Sequence, residues 1–365
     1  MRLCYFVLSP TFGMYQVAAD LANRFASMHN VHALTAQHAP LDRFAPTVEV
    51  HQVAKSSNSG MELASLDVLT LHRLMRKIRY IKPEIAHFAA PHIWNLPVIL
   101  SLRSSNVPVV YTLHDLDPHH GTRFSALMRL FNKLIVHLAD HLFVYGEVYK
   151  KRLVSAGLSQ NSITVIPLLH LFLSYEEEMR LGRQKGAVTY EPFALFFGRL
   201  EAYKGLDVLL RAFEKLQNSG VRLVIAGPGS IEPYLPRGRV NENVELRNMH
   251  VDDQTARELF SRCGLVVLPY VDATQSALIS SAYFFRKPVV VSRSGALPEY
   301  VEDGQTGYIV EPGDAESLAV HMRDLLANPG RLCEMGAAGY EWYQHNRQRE
   351  YQILQDVYSA LSGGS

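Results

Sequence analysis

Little in this 365-residue chain suits covalent cross-linking, a membrane interior or a polyanion. Its three cysteines, Cys4, Cys263 and Cys333, are odd in number and far apart. That excludes a disulfide framework or a cysteine-rich zinc module and fits a reducing, cytosolic compartment. No apolar run approaches the ~18 residues a spanning helix requires. The opening MRLCYFVLSP is cut by Pro10 too early for a signal peptide and reads as a first buried strand. Lys and Arg number 36 against 35 Asp and Glu, a net charge of +1 that gives no global field to recruit nucleic acid. The G-x-G-x-x-G dinucleotide fingerprint and the G-x-x-x-x-G-K-[ST] phosphate loop are both missing, so hydride chemistry has no motif behind it.

What is there is a soluble α/β pattern. The composition is 48% hydrophobic and 19% charged, and the length suits two domains of similar size. In the first half, strand-like runs at Leu3–Leu8, Val31–Thr35, Val48–Val53, Ile85–Phe88, Val107–Leu113, Leu142–Val144 and Ile163–Ile166 alternate with helical spacing. The helices are expected from Gly13, over Leu66–Ile81, Phe124–Leu138 and Val148–Ala156. A charged stretch containing EEEMRLGRQKG interrupts the pattern and reads as a linker or exposed loop. The alternation restarts with strand Phe193–Phe197 and helix Gly205–Leu216, and continues to an aromatic helical tail over Arg331–Leu361. Strands separated by helices in this way imply two mostly parallel sheets covered on both faces.

In such sheets, ligands sit at the carboxyl strand ends, where helix N-termini favour anions. Three places qualify. The loop Gly198-Arg199-Leu200-Glu201-Ala202-Tyr203-Lys204-Gly205 carries two cations five residues apart, suited to a pyrophosphate; a solvated loop with a structural Arg is the equal alternative. Pro269–Gly307 runs from a strand end through the polar loop Asp272–Ser276, which includes Thr274 and Gln275, into a helix starting near Ala277 and Leu278. His114 follows the strand Val107–Leu113, with Asp115, Asp117, His119 and His120 beyond it. A ligand-contacting His114, a satisfied loop histidine and, least favoured, a metal cluster all remain open there. His87, His92 and His170 are each weak alone. Gly13 follows the first strand, and Gly227 lies in a turn after Ala226 read as its equivalent in the second half, where a glycine admits close backbone approach. Two basic, apolar segments, His72–Lys82 and Arg123–His137, are candidates for an anionic membrane surface, although a solvated helix face is the commoner reason for such runs.

FFGRLEAYKGLDVLLRAF, VRLVIAGPG, VVLPY and ATQSALISSAYFFRKPVVVSRSGALPEYVEDGQTGYIVEPGD closely resemble the C-terminal half of retaining GT-B glycosyltransferases of family 4. PEIAHF, VVYTLHDLDPH and ADHLFVYGEVYKKRL extend the resemblance more loosely to the first half. The resemblance implies two Rossmann-like domains facing a central cleft: an acceptor domain at 1–170, a linker at 171–191 and a nucleotide-sugar donor domain at 192–344. A final helix, about 345–362, would pack back on the first domain. It implies transfer of a sugar, with retention, from a nucleotide-diphosphate-sugar (UDP or GDP) to a hydroxyl of a saccharide or lipid-linked acceptor in cell-surface polysaccharide or glycoconjugate synthesis. Neither cofactor nor metal is expected. Arg199 and Lys204 match the family's pair on the donor diphosphate, His114 a histidine near the donor sugar, and Gly13 the glycine loop after the first strand. Gly198, Gly227, Asp272, Thr274, Gln275, Ser276, Ala277, Leu278 and Ser281 are read as the rest of the donor site. The family's two glutamates, eight positions apart, fall on Ala273 and Ser281, so Gln275 is expected to meet the sugar, with Asp272 as a substitute carboxylate. A GT-B scaffold that binds nucleotide or partner without turnover is the alternative.

Overall fold

The computed structural model describes residues 1–9, 12–56, 65–114, 116, 125–182, 190–216, 220–235 and 241–363, excepting the side chains of 12 and 125–128. The chain divides into two compact units, Met1–Arg183 with Arg349–Ser365, and Gln184–Gln348.

The first unit contains β1 (Arg2–Val7), α1 (Phe12–Phe25), β2 (Asn30–Ala36), β3 (Glu49–Ala54), α2 (Val68–Ile81), β4 (Ile85–Phe88), α3 (Asn95–Ser104), β5 (Val109–Thr112), α4 (Ser125–Leu138), β6 (His141–Val144), α5 (Glu147–Ser155), β7 (Ile163–Val165) and α6 (Tyr175–Gly182). Its seven strands lie parallel in the order β3-β2-β1-β4-β5-β6-β7. β1, β4, β5 and β6 are buried along almost their whole length, the sign of a sheet covered on both faces. Local chemistry sets the helix ends: Asp67 caps α2 by accepting from Leu69 N, and Lys82 closes it at φ 50 just before Pro83.

Two features depart from the sequence expectation. Helix α3 falls in a stretch where no helix was expected. It buries Asn95, Val98, Ile99 and Leu102, carries Pro97 in its first turn and shows too little sidedness to signal itself. Helix α6 lies inside the stretch read as a linker, and Leu171, Phe172 and Leu173 just before it are buried.

The second unit contains β8 (Phe193–Phe197), α7 (Leu206–Glu214), β9 (Arg222–Ala226), β10 (Val244–Arg247), α8 (Asp253–Arg262), β11 (Leu265–Leu268), α9 (Leu278–Phe284), β12 (Val289–Ser292), β13 (Gly307–Val310), α10 (Ala315–Leu326) and the first part of α11 (Pro329–Ser362). Its six strands are parallel in the order β10-β9-β8-β11-β12-β13. In α11, Trp342 packs on Tyr283 and Tyr300, and Tyr343 on Phe284. From Arg349 onward the same helix belongs to the first unit. There Leu354 and Tyr358 are completely buried, and the Tyr358 hydroxyl meets His87 Nδ1 at 2.5 Å and the Tyr5 hydroxyl at 3.1 Å.

Both sheets place their first strand inside and build outward on either side, so the strand order reverses between β1 and β4 and again between β8 and β11. Loops leaving the carboxyl ends of those pairs frame a crevice in each unit, the place where open α/β sheets bind ligands.

Candidate functional site

In the second unit the crevice is built by the loops after β8, β9, β11 and β12, pressed together backbone to backbone. Gly205, at φ 68, leaves room only for hydrogen: a Cβ there would stand 1.9 Å from the Pro269 carbonyl oxygen. A Cβ on Gly227 would come within 2.1 Å of the Gly198 oxygen, and one on Gly295 within 1.8 Å of the Ala273 oxygen. Val271 N–H donates to the Tyr203 carbonyl at 2.8 Å, and Ala296 N–H to that of Thr274 at 3.1 Å. The Ser292 hydroxyl donates to the Tyr270 carbonyl. Each loop therefore holds its neighbour's conformation.

Lys204 ends a short 3-10 turn, Ala202–Lys204, and points into this crossing. It is only 9% exposed, and its ammonium donates to the Tyr270 hydroxyl at 3.1 Å with the Tyr270 ring 4.9 Å away. The same Nζ would lie 2.8 Å from a Cβ on Gly198, so the cation sits directly over the glycine that leaves β8. Burial also pushes the neighbouring Tyr203 phenol up, which keeps it protonated. Arg199 is held differently: its side chain is 65% exposed and pairs with Glu201 at 2.8 Å. One buried cation and one exposed cation thus leave the same strand end.

Across the switch, Asp272 is exposed, Thr274 and Gln275 are half-buried, and Ala273 and Ser276 are buried. Ala277 caps α9, which starts at Leu278, and Ser281 is buried to 1% exposure within that helix. Tyr270, Gly205 and Gly295 were missed as site residues. The glycines stood in the quoted loops, but only the packed backbone shows that no other residue fits.

In the first unit, Gly13 lies in the first turn of α1 with open space where a Cβ would point. His114 follows β5, is buried, donates Nε2–H to the Ala89 carbonyl at 2.8 Å and packs on Tyr145. His92 Nε2 is bonded to the Ser56 hydroxyl at 2.9 Å, and that hydroxyl donates to Leu8 O. His87 lies inside β4, bonded to Thr112 and Tyr358, where burial lowers its pKa to about 3; it belongs to the core. Asp115, Asp117, His119 and His120 lie outside the described residues. Among the described residues no helix is long and apolar enough to cross a membrane.

Comparison with known proteins gives this pair of sheets a family. Residues 13–168 match "Glycosyltransferase Family 4", and residues 191–328 match "Glycosyl transferases group 1". The sulfoquinovosyl transferase of Arabidopsis thaliana is 23% identical over 310 residues, covering 79% of this chain. The chain spans 59% of that relative's length, and less than half of two other curated relatives that it matches. Sucrose-phosphate synthase from Thermosynechococcus elongatus superimposes with TM-score 0.77 at 18% identity, covering all of both chains. Anabaena HepE, solved with UDP-glucose, superimposes with TM-score 0.71 at 18% identity over 98% of this chain and all of that one. Two parallel Rossmann-type sheets, each with its own strand-order reversal, and two matched segments that together reach from residue 13 to 328 agree on one assignment: the chain belongs to the GT-B glycosyltransferases of family 4, group 1.

Proposed function

We propose that this chain transfers a sugar, with retention, from a nucleotide-diphosphate-sugar to a hydroxyl of a saccharide or lipid-linked saccharide, and that the donor lies in the β8/β11 crevice. One observation carries the reading. Lys204 is a buried ammonium fixed by Tyr270 over Gly198, at the switch point where a diphosphate has backbone amides and cations to meet. Breaking the anomeric C–O bond builds negative charge on the leaving nucleoside diphosphate. A cation already in place stabilises that charge without reorganisation. Arg199, on the exposed side of the same loop, exchanges Glu201 for the outer phosphate. Gln275 and Asp272 are assigned to the sugar and Ser276, Ala277 and Leu278 to the phosphates, while Ser281, which the resemblance assigns to the ribose, is buried within α9. His114 and Gly13 keep the roles the resemblance implies, His114 near the donor sugar and Gly13 in the glycine loop after the first strand, and the chemistry proceeds without a metal. The anionic surface of a membrane is the proposed site of work. Val68, Leu69 and Tyr80 are exposed on α2 beside its Arg and Lys residues, and Leu130 and Leu134 on α4 beside Lys133.

Melting curves with UDP-, GDP- and ADP-sugars test the donor site, since a ligand that binds only the native state raises its stability. The second reading, a scaffold that binds but does not turn over, is favoured by Ala273 and Ser281 standing where the family carries glutamates. A donor-hydrolysis assay separates the two: an enzyme releases sugar slowly without acceptor, and a binder releases none.

A further inference from the structure

The edge of the first unit's sheet carries a side-chain cluster unrelated to the donor crevice. His32 on β2 pairs in register with Glu49 on the edge strand β3, and His51 stands two residues beyond Glu49. Residues two apart on a strand share a face, so all three side chains project from one side of the sheet. His32 Nδ1 lies 3.1 Å from His51 Nε2 and 3.4 Å from Glu49 Oε2. The three donor atoms all fall within 4.8 Å of one another.

The two shorter separations are close to the edges of a coordination polyhedron, and the third lies under 4.8 Å. Four ligands at ~2.0–2.1 Å around a tetrahedral zinc ion stand about 3.3 Å apart. The Glu49 side chain is 58% exposed, so its carboxylate has freedom to close on both rings. The two ring planes lie within 16° of one another with centroids 5.4 Å apart, so the nitrogens face each other across the 3.1 Å contact, and binding an ion requires both rings to turn toward it. We infer that His32, Glu49 and His51 form a site for a divalent transition ion of the zinc type, with water as the fourth ligand, that pins edge strand β3 to β2.

The donor set suits zinc and not magnesium, which prefers an all-oxygen octahedron. Lys77 of α2 brings positive charge near both imidazoles, and Arg2 of β1 brings it near His32. In a neutral His32–His51 pair one proton is shared, and ligation requires that proton to move to the other nitrogen of its own ring. Glu49 offsets the charge that Lys77 brings. Without a metal, the same contact is an N–H···N bond between two histidines, and the experiment discriminates between these states.

The full chain is stripped with a chelator, dialysed and titrated with ZnCl2, with MgCl2 as control, and followed by metal analysis and melting temperature. About one zinc ion per chain with a rise in Tm is expected, and no rise with magnesium. His51→Ala should weaken zinc binding on the order of 100-fold or more, and Glu49→Gln about 10-fold or more. Glu49→Gln alters an exposed side chain and keeps the fold, so it decides the matter if His51→Ala does not fold. Absence of zinc binding by the parent chain overturns the proposal, as does equal affinity in the parent and Glu49→Gln proteins.

Discussion

The ammonium of Lys204 and the phenol oxygen of Tyr270, 3.1 Å apart, tie the loop after β8 to the loop after β11. The pair holds a charged group in a crowded, largely solvent-free place, where a fixed cation is worth more to a developing anion than it would be in water. Lys204→Ala is expected to lower donor turnover on the order of 10²-fold or more. Tyr270→Phe keeps the ring beneath the cation and loses one hydrogen bond, so a drop of only about 2- to 10-fold is expected. Turnover of Lys204→Ala within a factor of a few of the parent would remove Lys204 from the mechanism.

The glycines of the crossing loops should be intolerant for a steric reason. Gly205→Ala and Gly295→Ala each drive a methyl group into a carbonyl oxygen and require a left-handed backbone, so losses above about 2 kcal/mol are expected, together with loss of donor binding. Gly304, at φ 74, has open space around it, and its alanine variant should lose only about 1 kcal/mol. Similar denaturation midpoints for all three would mean that the loops give way.

In the first unit, Arg24 stands between Asp20 and Glu350. Burial pushes the Glu350 carboxyl up to about 7, although Arg24 pulls against it. An acid with a raised folded pKa has its full stability below the unfolded value near 4.5, and stability falls as pH rises toward 7. Arg24→Met should cost about 3–5 kcal/mol above pH 7 and clearly less near pH 5, where the carboxyl keeps its proton. A pH-independent loss in denaturant titrations would count against this account.

His87 and His170 work in the opposite sense. Burial lowers them to about 3 and about 4, so the unfolded chain takes up protons below 6.5 that the native chain refuses. Stability is complete above that pH and declines toward 4, by about 3 kcal/mol for each fully buried ring. Denaturation midpoints measured across this range should fall, and His87→Asn should flatten the decline. A profile level from pH 6.5 to 4.5 in the parent protein would contradict it.

Chelation tests whether the chemistry needs a metal. With EDTA present, donor hydrolysis is expected at the parent rate; its loss in the parent and in Glu49→Gln alike would return attention to the His114–His120 segment.

Much of this architecture was readable because each strand is a short apolar run. Ile85–Phe88, Phe193–Phe197 and Leu265–Leu268 appear in the structure with the bounds their sequence suggested. Helix α3 was hidden because burial on several sides removes the polar stripe that marks an amphipathic helix. Lys204 was visible as a charge beside a glycine, but its partner Tyr270 is 66 residues away, a distance no local pattern spans. His32 and His51 were likewise unremarkable alone. Only the parallel register of β2 and β3 makes them neighbours.

The closing turns of α11 give the chain an order of assembly. Leu354 and Tyr358 fill the interior of the unit that the N-terminal segment begins, and Tyr358 joins the hydroxyl of Tyr5. A ribosome releases those residues only after all of the second unit has been made. The first body to be synthesised is thus the last to be finished, and until then it must persist with its Tyr5–His87 pocket unfilled, exposed to whatever chaperone or proteolytic surveillance it meets.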